Sequence, residues 1–134
     1  WPDRAEVVAG LDELAGGTWM GINDHGVVAC ILNRHGSLGP APDKRSRGEL
    51  VLEALDHADA VDAAKALSAI DPNAYRPFNL IVADNRDAWW LALTAADQAA
   101  IAAQIGRPMT VAGQLQVNLL QGFGKGLWLL AARG

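Results

Sequence analysis

The chain has 134 residues, enough for one domain of common size, and its 51% hydrophobic content supplies material for a real core. A net charge of −4 and a sequence pI near 5.2 argue against nucleic acid, which needs a clustered Lys and Arg face; the one cationic run, Lys44-Arg45-Ser46-Arg47, is too short. No run reaches the length that spans a bilayer, no signal peptide stands at the visible N-terminus, and the single cysteine, Cys30, has no internal disulfide partner, so the expected residence is cytoplasmic.

In chain order, residues 1–10 read as an extended lead-in, with Pro2 disfavouring a helix at the start. A hairpin follows: apolar and polar residues alternate through 19–23, Asp24-His25-Gly26 supplies the turn, and Val27-Val28-Ala29-Cys30-Ile31-Leu32 reads as a buried strand. Cys30 is expected in the core, and Trp19 against a helix. Residues 35–45, with two Gly and two Pro, form a loop.

Ser46 with Glu49 three residues later forms a candidate capping box for a helix ending near His57, whose apolar stripe is Leu50, Val51, Ala54 and Leu55. A second helix over about 59–70 is capped by Asp59 and stops at Asp71-Pro72. Residues 78–83 and 88–92 are the arms of a second hairpin, and Trp89-Trp90 places one ring on each sheet face. Asn85-Arg86-Asp87 sits at its polar tip and is read as a solvated turn. An alanine-rich helix to about residue 105, a strand within 109–118 and an apolar run at 127–132 make the tail a helix plus a third hairpin. The glycines between 122 and 126 lack the spacing of a phosphate-binding loop.

Three ordered elements carry information beyond this pattern: Gly16-Gly17-Thr18-Trp19 continuing to Gly21 and Asn23, then Asn33-Arg34, then Ser46-Arg47-Gly48 with Leu50-Val51. Together they resemble the NRDE family, also called the transport and Golgi organisation family, whose members have an N-terminal nucleophile (Ntn) hydrolase type of fold. The resemblance covers about residues 1–91. It implies an α+β fold: a partial Ntn-hydrolase-like layered sandwich of antiparallel hairpins and helices, in a single domain over 1–134 with a family-like region to residue 92 and an unassigned tail from 93. Family members begin Met-Cys and carry an Asn-Arg-Asp-Glu signature, whereas this chain starts Trp1-Pro2-Asp3. The expectation is a fragment, or a variant without the catalytic strand.

Residue by residue, the resemblance implies Asn33 as an oxyanion-hole candidate, because a side-chain amide donates to developing negative charge without titrating; the alternative is that it caps its strand. Arg34 and Arg47 are candidates for gripping an acidic ligand group, surface pairing being the alternative. Trp19 and His25 complete the candidate ligand-binding set. Haem handling in some family members makes haem a candidate cofactor and a loop histidine its candidate axial ligand. His25, His35 and His57 have no metal-site spacing, so no structural metal is expected.

The functional expectation is handling of haem or a lipid-like cofactor without turnover by this chain, since Trp1 is no nucleophile. One alternative is an Ntn-type amide or acyl hydrolase whose nucleophile strand lies elsewhere. The other is a self-associating module, a homodimer formed through an exposed sheet edge.

Overall fold

Period-two alternation decides which way a strand faces, and burial follows it in strands such as Met20–Asn23 and Phe78–Ala83. The computed structural model describes residues 1–34, 37–39, 41–94 and 114–119. Six strands are described: β1 Val7–Ala9, β2 Met20–Asn23, β3 Val28–Asn33, β4 Phe78–Ala83, β5 Ala88–Thr94 and β6 Gln114–Leu119. They form one sheet in the order β1-β2-β3-β4-β5-β6, every neighbouring pair antiparallel. Between β3 and β4 the chain leaves the sheet to form α1, Gly48–Leu55, α2, Ala60–Leu67, and a short 3-10 turn, Pro72–Ala74.

Register aligns the core in rows. Ile31, Leu80, Leu91 and Val117 oppose one another across four strands, and Phe78, Leu93 and Leu115 form the neighbouring row. Onto this face α1 lays Leu50, Val51, Leu52, Ala54 and Leu55, and α2 lays Ala60, Ala63, Ala64 and Leu67. Burying Leu67 or Leu80 fully contributes on the order of 1.5–3 kcal/mol each before chain entropy is charged against it. Asp59 begins α2 as expected, its carboxylate accepting from the Asp62 amide at 2.9 Å.

Several expectations are corrected. The capping box at Ser46 does not form: Arg47 occupies the N-cap of α1 without a side-chain cap, and Ser46 Oγ accepts only a long 3.3 Å bond from the Gly48 amide. Glu49 is turned away, to the Tyr75 hydroxyl and to Arg45 at 2.7 Å. Residues 27–32 are not uniformly buried, because alternation sends Ala29 and Ile31 inward while Cys30 lies half-buried on the opposite face, across from Met20 and Ile81. The tail adds a strand to the sheet, since β6 pairs with β5 along its length. The expected tail helix and the run at 127–132 lie outside the described residues.

The α+β expectation holds: one antiparallel sheet with two helices on one face. The other face stays apolar and open, with Val8, Met20, Ile22, Leu32 and Ile81 all exposed. No helix among the described residues is long and apolar enough to cross a membrane.

Candidate functional site

The site begins with a backbone contact. Asp12 closes the loop before β2, its carboxylate accepting from the amides of Leu14 and Ala15 at 3.0 Å, while its own amide donates to Gly17 O at 2.8 Å. Gly17 then meets α1 so closely that an added Cβ would fall 2.6 Å from the Gly48 carbonyl carbon, and one on Gly48 would fall 2.8 Å from the Thr18 nitrogen. Only glycine on both sides permits this approach. It fixes the N-terminus of α1 against the start of β2, at one end of the sheet.

A groove of about 740 Å³ opens there. Trp19, Ile31, Leu32 and Leu38 contribute apolar surface to its lining, and Lys44, Arg45, Arg47 and Arg76 contribute positive charge, with Asp12 the one acidic residue of the lining. Asn33, at the end of β3, also lines it.

The four cations are not equivalent. Arg45 pairs with Glu49 at 2.7 Å and lies over the Tyr75 ring, 5.6 Å from its centroid. Burial, and then the bond to Glu49, push the Tyr75 hydroxyl well above its ordinary pKa, so it stays a donor. Lys44 donates to Asn73 O at 2.7 Å and faces Asp43 at 3.8 Å. Arg47 is only 7% exposed and donates to neutral acceptors, Ser37 Oγ at 2.8 Å, Pro77 O at 2.7 Å and Ser37 O at 3.4 Å. Burial lowers its pKa and the positive charge of Arg76 lowers it further. Arg76 donates to Gly39 O, while its buried Nε has no partner among the described residues.

Of the sequence-derived candidates, Trp19, Asn33 and Arg47 line this one groove. Trp19 does not pack on a helix as expected: it is 56% exposed, and its ring lies over Gly10, where a Cβ would sit 3.1 Å away. Arg34 is directed elsewhere, donating to Asn79 Oδ1 at 2.8 Å, an oxygen that also accepts from Trp90 Nε1 at 3.1 Å. His25 is exposed in the β2–β3 turn, 3.7 Å from Asp24, and is not among the groove residues. Asn85-Arg86-Asp87 is a turn, with the Arg86 and Asp87 amides donating to Asp84 Oδ1 at 2.8 Å. His35 lies outside the described residues.

Sequence reasoning missed Arg76 and Lys44. Their arrival depends on a parallel bridge between Arg45 and Tyr75, a contact thirty positions apart that no local pattern encodes. Among the described residues no group of three His, Cys, Asp or Glu side chains is arranged to hold a metal.

Comparison with known proteins gives a consistent result. A family model described as Transport and Golgi organisation 2 matches residues 1–116, running past the hairpin of β4 and β5 into β6. Over 90 residues the chain is 38% identical to the Transport and Golgi organization 2 homolog of Mus musculus and 39% identical to the corresponding Bos taurus protein. The Homo sapiens homolog is 38% identical over the same length. Each alignment takes in 63% of this chain and 31% of the relative, so the match spans about a third of those proteins.

Proposed function

The chain belongs to the Transport and Golgi organisation 2 family, and from that premise we propose that it handles a small amphipathic ligand, of the haem or lipid-like cofactor class, without turning it over. The observation that carries this reading is the groove itself, whose lining combines apolar side chains, Trp19, Ile31, Leu32 and Leu38, with three arginines and a lysine. Such a mixed lining suits a ligand with an apolar body and an anionic end.

Haem meets half of the requirement. Carboxylate arms fit the cations and a flat ring fits Trp19, but the described lining contains no His, Cys or Met to ligate iron. Held there, haem would supply redox-active iron; the chain's own residues would contribute shielding and charge. The lipid-like, anionic member of the class is therefore the better supported one. A reducing compartment such as the cytoplasm accords with the lone Cys30.

The test is a titration with haemin and, separately, with a fatty-acyl carboxylate, followed by the absorbance of the first and by displacement of an apolar fluorophore for the second. Saturable binding of the acyl ligand at one site, weakened about tenfold or more in Trp19→Ala, is expected for loss of a large aromatic contact. No saturable binding of either ligand, or an unaltered affinity in Trp19→Ala, would sink the proposal.

Two other readings have an observation each. Asn33 in the groove favours an Ntn-type layered fold and acyl transfer in a longer protein, with its amide as the oxyanion donor. The open apolar face of the sheet favours self-association of copies.

A further inference from the structure

We propose that Arg47 and Arg76 together form the seat for a dianionic oxygen group of the groove's ligand, a phosphate monoester or a closely spaced pair of carboxylates. The inference rests on the reading of the groove as a ligand site and names the chemistry of one end of it. Arg45 is already neutralised by Glu49, and Lys44 has Asp43 near it. Arg47 and Arg76, in contrast, have no carboxylate partner among the described residues. Each is held by neutral acceptors, Ser37 and Pro77 for the one and the Gly39 carbonyl for the other.

Two guanidinium charges this close repel one another, and one of them is more than nine-tenths buried. A protein interior rarely keeps such a charge without compensation, because desolvation is costly unless an opposite charge or full hydrogen bonding offsets it. Here the compensation is incomplete, and the orphan is specific: Nε of Arg76 is buried and has no hydrogen-bond partner among the described residues. A guanidinium engaged side-on by an oxyanion uses Nε together with one terminal nitrogen, so the unused Nε is the donor such a group would take.

The surroundings agree with the sign and number of charges. The N-cap and first residue of α1, Arg47 and Gly48, line the same groove and add the positive end of the helix dipole to it. Asp12, the one acidic residue of the lining, makes no ion pair with either arginine, and its Oδ1 accepts from two backbone amides. Two neighbouring guanidinium groups without a carboxylate partner favour a ligand group that can meet both, which separates a dianion from a simple monocarboxylate.

The experiment is calorimetric titration of the full chain with inorganic phosphate, with malonate and with acetate, at ionic strength held constant by sodium chloride. Phosphate or malonate should bind at one site, with acetate at least tenfold weaker. Arg76→Gln should weaken the dianion by about tenfold or more, as expected for loss of a charge-assisted pair, while Arg45→Gln changes it little. Because Arg47 also ties Ser37 to Pro77, Arg47→Lys with circular dichroism to confirm folding serves as the second variant and should likewise weaken the dianion. Phosphate in preference to malonate identifies the monoester source, and the reverse identifies paired carboxylates. No saturable dianion binding, or equal losses in Arg76→Gln and Arg45→Gln, overturns the proposal. Dianion binding with no acyl or haem binding would leave the seat standing and remove the amphipathic ligand, so the two readings fail separately.

Discussion

Asn23 satisfies four backbone groups with one side chain. Its Nδ2 donates to Leu55 O at 3.0 Å and His57 O at 2.7 Å, and its Oδ1 accepts from the amides of His25 at 3.1 Å and Val27 at 2.9 Å. One residue therefore shapes the β2–β3 turn and donates to the last carbonyl of α1, which a helix end leaves without a partner, and to one just beyond it. Asn23→Ala should cost roughly 2–3 kcal/mol, the scale of leaving such buried groups unpaired. Asn23→Asp should cost more, since it sets a carboxylate against two carbonyl oxygens. Urea unfolding of both variants checks this, and an aspartate variant more stable than the alanine one would refute the assignment. The spaced pattern Gly17, Thr18, Trp19, Gly21, Asn23 was visible in the sequence, but its purpose was not. Apart from Trp19, these residues build the frame: Gly17 abuts α1, Thr18 Oγ1 donates to Met20 O at 3.0 Å, and Gly21 lies beneath Leu55.

At the scale of elements, the junction between α2 and the β4–β5 turn is held by Asp84. Its Oδ2 accepts from the Ala60 amide at 2.8 Å, so a residue of the hairpin helps to cap the helix. Burial works to raise this carboxyl's pKa, but bonds from the Ala60, Asp87 and Arg86 amides outweigh it and hold the group below its ordinary 3.8. A depressed folded value means stability that is fully present above the ordinary value and is lost as pH falls through the folded one. Asp84→Asn should therefore destabilise by about 1–2 kcal/mol at pH 7, a penalty that shrinks below 3.8. Urea titrations of both proteins from pH 5 to pH 3 decide it; a constant gap would count against the anchor.

Element identity was legible where periodicity was strong. Both hairpins, the Asp59 cap and the opposite facing of Trp89 and Trp90 follow from spacing and turn chemistry alone. The start of α1 was misread because Ser46 and Glu49 satisfy a local rule that long-range partners override: Tyr75 and Arg45 claim the carboxylate that the capping box requires. The groove was half legible. Trp19, Asn33 and Arg47 come from the spaced elements, whereas Arg76 enters through tertiary pairing and carries no local mark.

For the whole molecule, the two faces of the sheet set its behaviour in solution. One is covered by α1 and α2, while the other exposes Val8, Met20, Ile22, Leu32 and Ile81 with Cys30 half-buried among them. An apolar sheet face of this kind calls for a cover, from another part of a longer chain or from a second copy. For the isolated chain, concentration-dependent association is expected, and Ile81→Lys, which sets a charge mid-face on β4, should shift it toward monomer without loss of helical signal. Sedimentation velocity of both proteins checks this; identical distributions would show that the face plays no part in association.

The contact between Gly17 and Gly48 bears on how anything enters the groove. Main chain meets main chain there, with no side chain between to swing aside. Helix α1 is thus a fixed edge of the groove, and on the lining formed by Leu38 and Gly39 the chain is held by side-chain bonds, from Arg47 to Ser37 and from Arg76 to Gly39. The residues 37–39 are tied to the same two guanidinium groups that carry the groove's unpaired charge, so the cations and that stretch of chain are positioned together.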